Sequence, residues 1–167
     1  MPELWDIYDR NRIALGKTHI RGEKLPEGEF HIVADVMSVN KDGKILITKR
    51  HPDKPFGEKW EISGGSVISG ETSLQGAVRE LSEETGLTAR QDELAYCGTI
   101  VRTPSGCLHD FYLYKGDFSE KDITLQESET VDARIVTPDE LYIMTRDGEF
   151  LDFVYDRIKA VYSDIIK

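Results

Sequence analysis

The chain has 167 residues, 39% of them hydrophobic and 31% charged, and a formal net charge of −10. That length suits one hydrophobic core, and no apolar run approaches the ~20 residues of a bilayer span. The acidic balance argues against a nucleic-acid binder, which presents a basic face, and a polyanionic small substrate would need a cation to approach.

The first ten residues are acidic and lack the apolar region of a signal peptide, so a cytoplasmic protein is expected. Leu4 to Tyr8 reads as a short strand and Thr18 to Glu23 as an extended piece; residues 1–29 form an N-terminal extension. Phe30 to Val39 is apolar and β-branched, Asp42-Gly43 marks a turn, and Ile45 to Lys49 alternates. That pattern predicts a β-hairpin. A loop rich in Pro, Gly and charge follows, from His51 to Lys59.

Thr72 to Thr85 reads as a helix. Thr72 is a good N-cap, Gln75 completes a capping box, and Gly86 suits the C′ position. Leu94 to Arg102 and Leu108 to Tyr114 read as strands around a Pro104-Ser105-Gly106 turn. Cys97 and Cys107 read as two free, half-buried thiols of a reducing compartment, with a bridge between paired strands still open. Ala133 to Val136 is a short strand. Thr137-Pro138 opens a helix, and Phe150 to Ile166 has helical spacing of apolar residues, so 137–167 is expected to be helical. Strands outnumber helices. The fold class is α+β, an α/β/α sandwich in which a mixed β-sheet is flanked by helices, in one domain over 1–167.

The chemistry lies in residues 64–87. Glu80, Glu83 and Glu84 fall on one helical face, apart from the apolar arc of Leu74, Ala77, Val78 and Leu81. This acidic face reads as an exposed site. A hard divalent cation prefers such oxygen ligands, although helix geometry alone equally allows a plain solvated face. Gly76 lies in the acidic arc, where a missing side chain would leave room for a bulky ligand.

Gly65, Glu71, Arg79-Glu80-Leu81, Glu83-Glu84 and Gly86-Leu87 stand at a fixed spacing over 23 residues. That pattern resembles the Nudix box of the MutT-like Nudix hydrolase superfamily, and every defined position matches. The similarity extends over about Phe30 to Tyr142. It implies a loop–helix–loop that holds Mg²⁺ or Mn²⁺ on a small-molecule diphosphate substrate. By that resemblance Glu84 and Glu80 are the leading metal ligands, with Glu83 next and the Gly64 carbonyl a further one. Arg79 orients the glutamates, and Glu71 braces Arg79 or the loop. The family's reaction is water attack on phosphorus, with a glutamate as base. Glu80 is one candidate. Glu129 is favoured over Glu127 on the loop before the next strand. Arg50, Lys49 and Arg102 are candidate phosphate or base contacts, or else solvated strand ends, and Trp60 and Phe56 are candidate ring-stacking residues, with packing the favoured reading for both. A homodimer is common for such domains.

Two other readings stand beside this one. The run from Trp5 through Arg21-Gly22-Glu23 to His31 resembles the Nudix branch related to isopentenyl-diphosphate isomerase. Gly64, however, stands where that branch has its cysteine. Ser66 and Lys24 stand where it has histidines, and only His31 persists, where a structural role is expected. A ligand-sensing Nudix domain without catalysis is the second alternative, but such domains often lose box glutamates and this chain keeps all of them. No spacing after Leu87 names a substrate.

Overall fold

The computed structural model describes residues 1–167. It opens with an antiparallel ribbon, β1 (Leu4–Tyr8) and β2 (Ala14–Ile20). The second strand starts earlier than the sequence suggests, because nearly all its residues are exposed and no alternation marks it. Several contacts fasten the ribbon to the rest of the chain, among them those of Trp5, Asp6 and Arg12. Trp5 stacks on His31 with ring centroids 3.8 Å apart, and Asp6 accepts hydrogen bonds from Ser69 Oγ at 2.7 Å and Gly70 N at 2.9 Å.

The main sheet is built around a hairpin that splays open. Strands β3 (His31–Val39) and β4 (Ile45–Arg50) pair only at Ser38↔Leu46 and Val39↔Ile45. Beyond those pairs, β5 (Trp60–Glu61) takes the freed edge of β4. Strand β6 (Ser63–Ser66) takes that of β3, with Asp35 opposite Gly64 and Ala34 opposite Gly65. The glycine-rich start of the box is thus wedged into the sheet rather than hung from it. Helix α1 (Ser73–Thr85) follows. Thr72 Oγ1 accepts from Gln75 N at 3.2 Å, and Gln75 Oε1 accepts from Thr72 N at 2.8 Å. Gly86 ends the helix at φ 73°, a conformation that favours glycine.

Strands β7 (Leu94–Arg102) and β8 (Cys107–Lys115) form a hairpin, and β8 joins β3 in parallel, with His31 opposite Cys107. Strand β9 (Thr130–Val136) pairs antiparallel with β4. Helices α2 (Pro138–Arg146) and α3 (Asp152–Val161) complete the chain. The last helix is shorter than its apolar spacing predicts. Phe150 and Leu151 are spent on the Trp60 backbone, where Leu151 N donates to Trp60 O at 3.0 Å.

Alternation along β3 divides the core. Ile32, Ala34 and Val36 pack with Ala77 and Leu81 of α1. Met37, Val39, Ile45, Ile47 and Phe111 pack with Leu141, Tyr155 and Ile158 of α2 and α3. The result is a mixed sheet between helical layers, as the sequence predicts. Leu81 is fully buried, and a side chain of that kind contributes about 1.5–3 kcal/mol by leaving water. The two cysteines are free thiols, with no bridge between them.

Candidate active site

Glu84 sits on the last turn of α1 and is only 3% exposed. The expectation of an exposed site fails here, because the β6 wedge covers the end of the helix. The carboxylate accepts one hydrogen bond, from Gly64 N at 3.2 Å. Burial pushes its pKa well above the ordinary carboxylate range, and the neighbouring charges of Glu61 and Glu80 push it further. Glu80 lies against the Gly65 backbone. A Cβ at position 65 would come within 2.4 Å of its carboxyl carbon, so the glycine is what admits the carboxylate. Burial also raises the Glu80 pKa, and Arg79 opposes that shift.

Glu61 completes this group. Burial raises its carboxyl although Arg50 Nη1 donates to it at 2.6 Å. Lys54 pairs with Glu129 and places positive charge near both Glu61 and Glu84. Neither Glu61 nor Lys54 was expected from the sequence. Glu61 belongs to a strand of two residues, and Lys54 to an irregular loop, so no periodicity singles them out.

Arg79 organises the opposite side. Its Nε and Nη2 donate to the two Glu71 oxygens at 2.8 and 2.9 Å, and Nη2 also donates to Ser66 O at 3.0 Å. Its Nη1 donates to Glu80 at 2.7 Å and to Glu83 at 3.2 Å. Burial raises the Glu71 carboxyl, but Arg79 and the Ile68 N–H outweigh burial and hold it below its ordinary value. Glu71 therefore braces both Arg79 and the loop, since it also accepts from Ile68 N at 3.2 Å. Glu80 and Glu83 are turned toward Arg79, and no three acidic, histidine or cysteine side chains close around a common point. The donor set nonetheless fits a hard cation. It consists of oxygens only, and the most buried of them belongs to a carboxylate with a single N–H partner among like charges.

The other expected residues divide. Glu129 is half-buried beside Lys54, on a loop tied to the box helix through Thr130 Oγ1, which donates to Glu84 O at 3.3 Å. Glu127 is exposed. Arg50 is held by Glu61 and by Pro55 O at 2.8 Å, so it braces the site wall. Trp60 must be corrected: it is 2% exposed within the core, with Arg134 4.6 Å above its ring, and has no face left for a ligand. Gly76 is corrected as well. A Cβ there would come within 2.9 Å of Val67 Cγ2, so it serves close packing of helix on loop rather than leaving an open surface. His31 is buried between Trp5 and Cys107, with Nε2 3.3 Å from the sulfur and Nδ1 unpartnered. A cleft of about 950 Å³ lies beside His31 and Ser105 and includes no box residue.

Residues 29–154 match the NUDIX domain. The chain belongs to the Nudix family. It is 40% identical over 158 residues to an uncharacterized Nudix hydrolase of Listeria monocytogenes, covering 92% of this chain and 90% of that protein. A crystal structure from Deinococcus radiodurans superposes with a TM-score of 0.77 at 19% identity, covering 96% of this chain and 99% of that one. A bifunctional NMN adenylyltransferase/ADP ribose pyrophosphatase from Francisella tularensis gives a TM-score of 0.64 at 20% identity, covering 81% of this chain and 42% of that one. This Nudix protein is MutT-like and is a pyrophosphohydrolase. Its β1–β2 ribbon lies outside the matched range.

Proposed function

We propose that this Nudix enzyme cleaves the diphosphate linkage of a nucleoside diphosphate joined to a further group, by attack of water on phosphorus. The observation that carries this reading is Glu84, a buried carboxylate with one N–H partner and two acidic neighbours. Such a group calls for a cation. Glu84, Glu80, Glu83 and the Gly64 carbonyl would hold Mg²⁺ or Mn²⁺. The Francisella relative complexed with AMP and Mn supports that choice. A cation bound there supplies neutralisation of the diphosphate charge and a lower pKa for water.

The chain's own residues do the rest. Arg79 keeps Glu80 and Glu83 on the substrate side of the helix, and Glu71 fixes Arg79 with two hydrogen bonds. Glu129 takes the proton from the attacking water, with Lys54 holding its carboxylate beside the buried glutamates. Glu80 is the alternative base. Gly64, where the isomerase-like branch needs a cysteine, offers no thiol for isomerisation. The test is phosphate release from a panel of diphosphate compounds, with and without Mg²⁺. Cation-dependent cleavage of one compound, lost in Glu84→Gln, is the expected result. Undiminished cleavage by that variant would overturn the assignment of Glu84.

A further inference from the structure

On the α3 side of the sheet, a line of contacts leads away from Glu84. Gly64, whose N–H reaches Glu84, lies opposite Asp35 in the β3–β6 ladder. Asp35 Oδ2 meets His109 Nδ1 at 2.7 Å, and His109 Nε2 lies 3.5 Å from Arg157 Nη1 on α3. Arg157 and Arg102 both approach the Phe153 ring, at 5.1 and 6.0 Å from its centroid. Neither guanidinium has a carboxylate within ion-pairing distance, in a chain where acidic residues outnumber basic ones by 31 to 21. Arg157 Nη2 is buried and donates to nothing. Beyond Glu84, Asp35 is the one carboxylate in this line of contacts, against two guanidinium charges.

Burying a donor without an acceptor, beside a second like charge, costs stability. The cost is removed if an anion sits between the two forks. Phe153 lies beside both guanidiniums, and a planar guanidinium fork can grip an oxyanion through two N–H groups. The loop between β4 and β5 joins this cluster to the carboxylates. Its Lys54 pairs with Glu129, and two residues on Phe56 meets Phe153 at 5.2 Å. Phe56 is 61% exposed and adopts a φ of 57°, a conformation that a bulky side chain rarely takes.

We propose that Arg102 and Arg157, backed by Phe153 and flanked by Phe56, form a second anion subsite. It takes a phosphoryl or carboxylate oxyanion on the part of the substrate beyond the scissile diphosphate. The position of the subsite on the substrate rests on the reaction proposed above; its anion binding does not. The test therefore uses inorganic phosphate and acetate as probes, on protein stripped of metal over a chelating resin, so that the box glutamates repel them. Calorimetry gives affinity, and NMR of the arginine Nε–H signals gives location.

Saturable binding that shifts both arginines is expected, with the tighter probe naming the oxyanion class. Arg157→Gln and Arg102→Gln should each weaken it about tenfold or more, as for loss of a charge-assisted hydrogen bond. Arg157→Lys, which keeps the charge but loses the fork, should fall between. Arg102 is half-exposed at a strand end, so its variant keeps the fold, checked by circular dichroism. Absence of saturable binding, or binding indifferent to both glutamine variants, would overturn the subsite. If phosphate binds at these arginines while no diphosphate compound is cleaved, the hydrolytic reading fails and the subsite stands.

Discussion

Two buried carboxylates stand in contrast. Asp110, under the N-terminal ribbon, is fully buried and fully answered: Arg12 donates to both its oxygens at 2.6 and 2.5 Å, and Thr99 Oγ1 adds a third bond at 2.5 Å. Glu84 is almost as buried, yet it has one backbone N–H and two acidic neighbours. The first arrangement holds the ribbon to the sheet. The second leaves a buried carboxyl short of partners, which is the basis of the cation site proposed above. Burial alone does not separate a structural acid from a working one; the partner count does.

The contrast can be broken experimentally, and the largest effect should come from Glu84. Glu84→Gln should lower kcat by about 10²–10³-fold or more, as when one transition-state electrostatic contact is lost, while the metal-free protein melts higher at neutral pH. Steady-state kinetics and calorimetry check both halves. Arg12→Ala should do the reverse, leaving kcat unchanged and costing about 2–3 kcal/mol in denaturant titration. That is below the usual figure for an orphaned buried charge because Arg12 is 40% exposed and water can replace it.

A third test uses pH. The folded protein binds the Glu84 proton more tightly than the unfolded chain, so metal-free stability should fall as pH rises above about 4.5, the unfolded value. One such proton gives a slope of at most about 1.4 kcal/mol per pH unit. Glu61 and Glu80 act in the same direction. Glu84→Gln should remove one proton's share of the slope, and saturating Mg²⁺ should flatten it further. An unchanged slope in the variant would overturn the raised titration of Glu84. The smallest effect is expected from His31→Ala, a loss of about 1–2 kcal/mol through the Trp5 stack with unchanged metal dependence. Melting curves with and without Mg²⁺ decide it.

The sequence reveals those features whose causes are local. The capping box at Thr72 and Gln75, the terminal Gly86 and the spacing from Gly65 to Leu87 lie within a few turns of chain, and the structure reproduces the helix they predict. What it conceals is long-range. Glu61 gains its meaning only when β5 and β6 are driven between β3 and β4, and Arg157 only when α3 crosses the β7–β8 hairpin. Trp60 misleads for the same reason: an aromatic residue before a glycine pair fits ligand stacking, but the wedge turns it into the core.

The splayed hairpin has a further consequence. The chain leaves the sheet at Arg50 and returns at Trp60, and the neck is closed by Arg50 N donating to Lys59 O at 2.9 Å and Glu58 N donating to Arg50 O at 3.1 Å. The residues between, Lys54 and Phe56 among them, form a cartridge held by its own neck. Because Lys54 on this segment holds Glu129 and Phe56 meets Phe153, a change in the segment reaches the proposed base and the anion subsite together, so bond breaking and choice of molecule are tied to one stretch of chain.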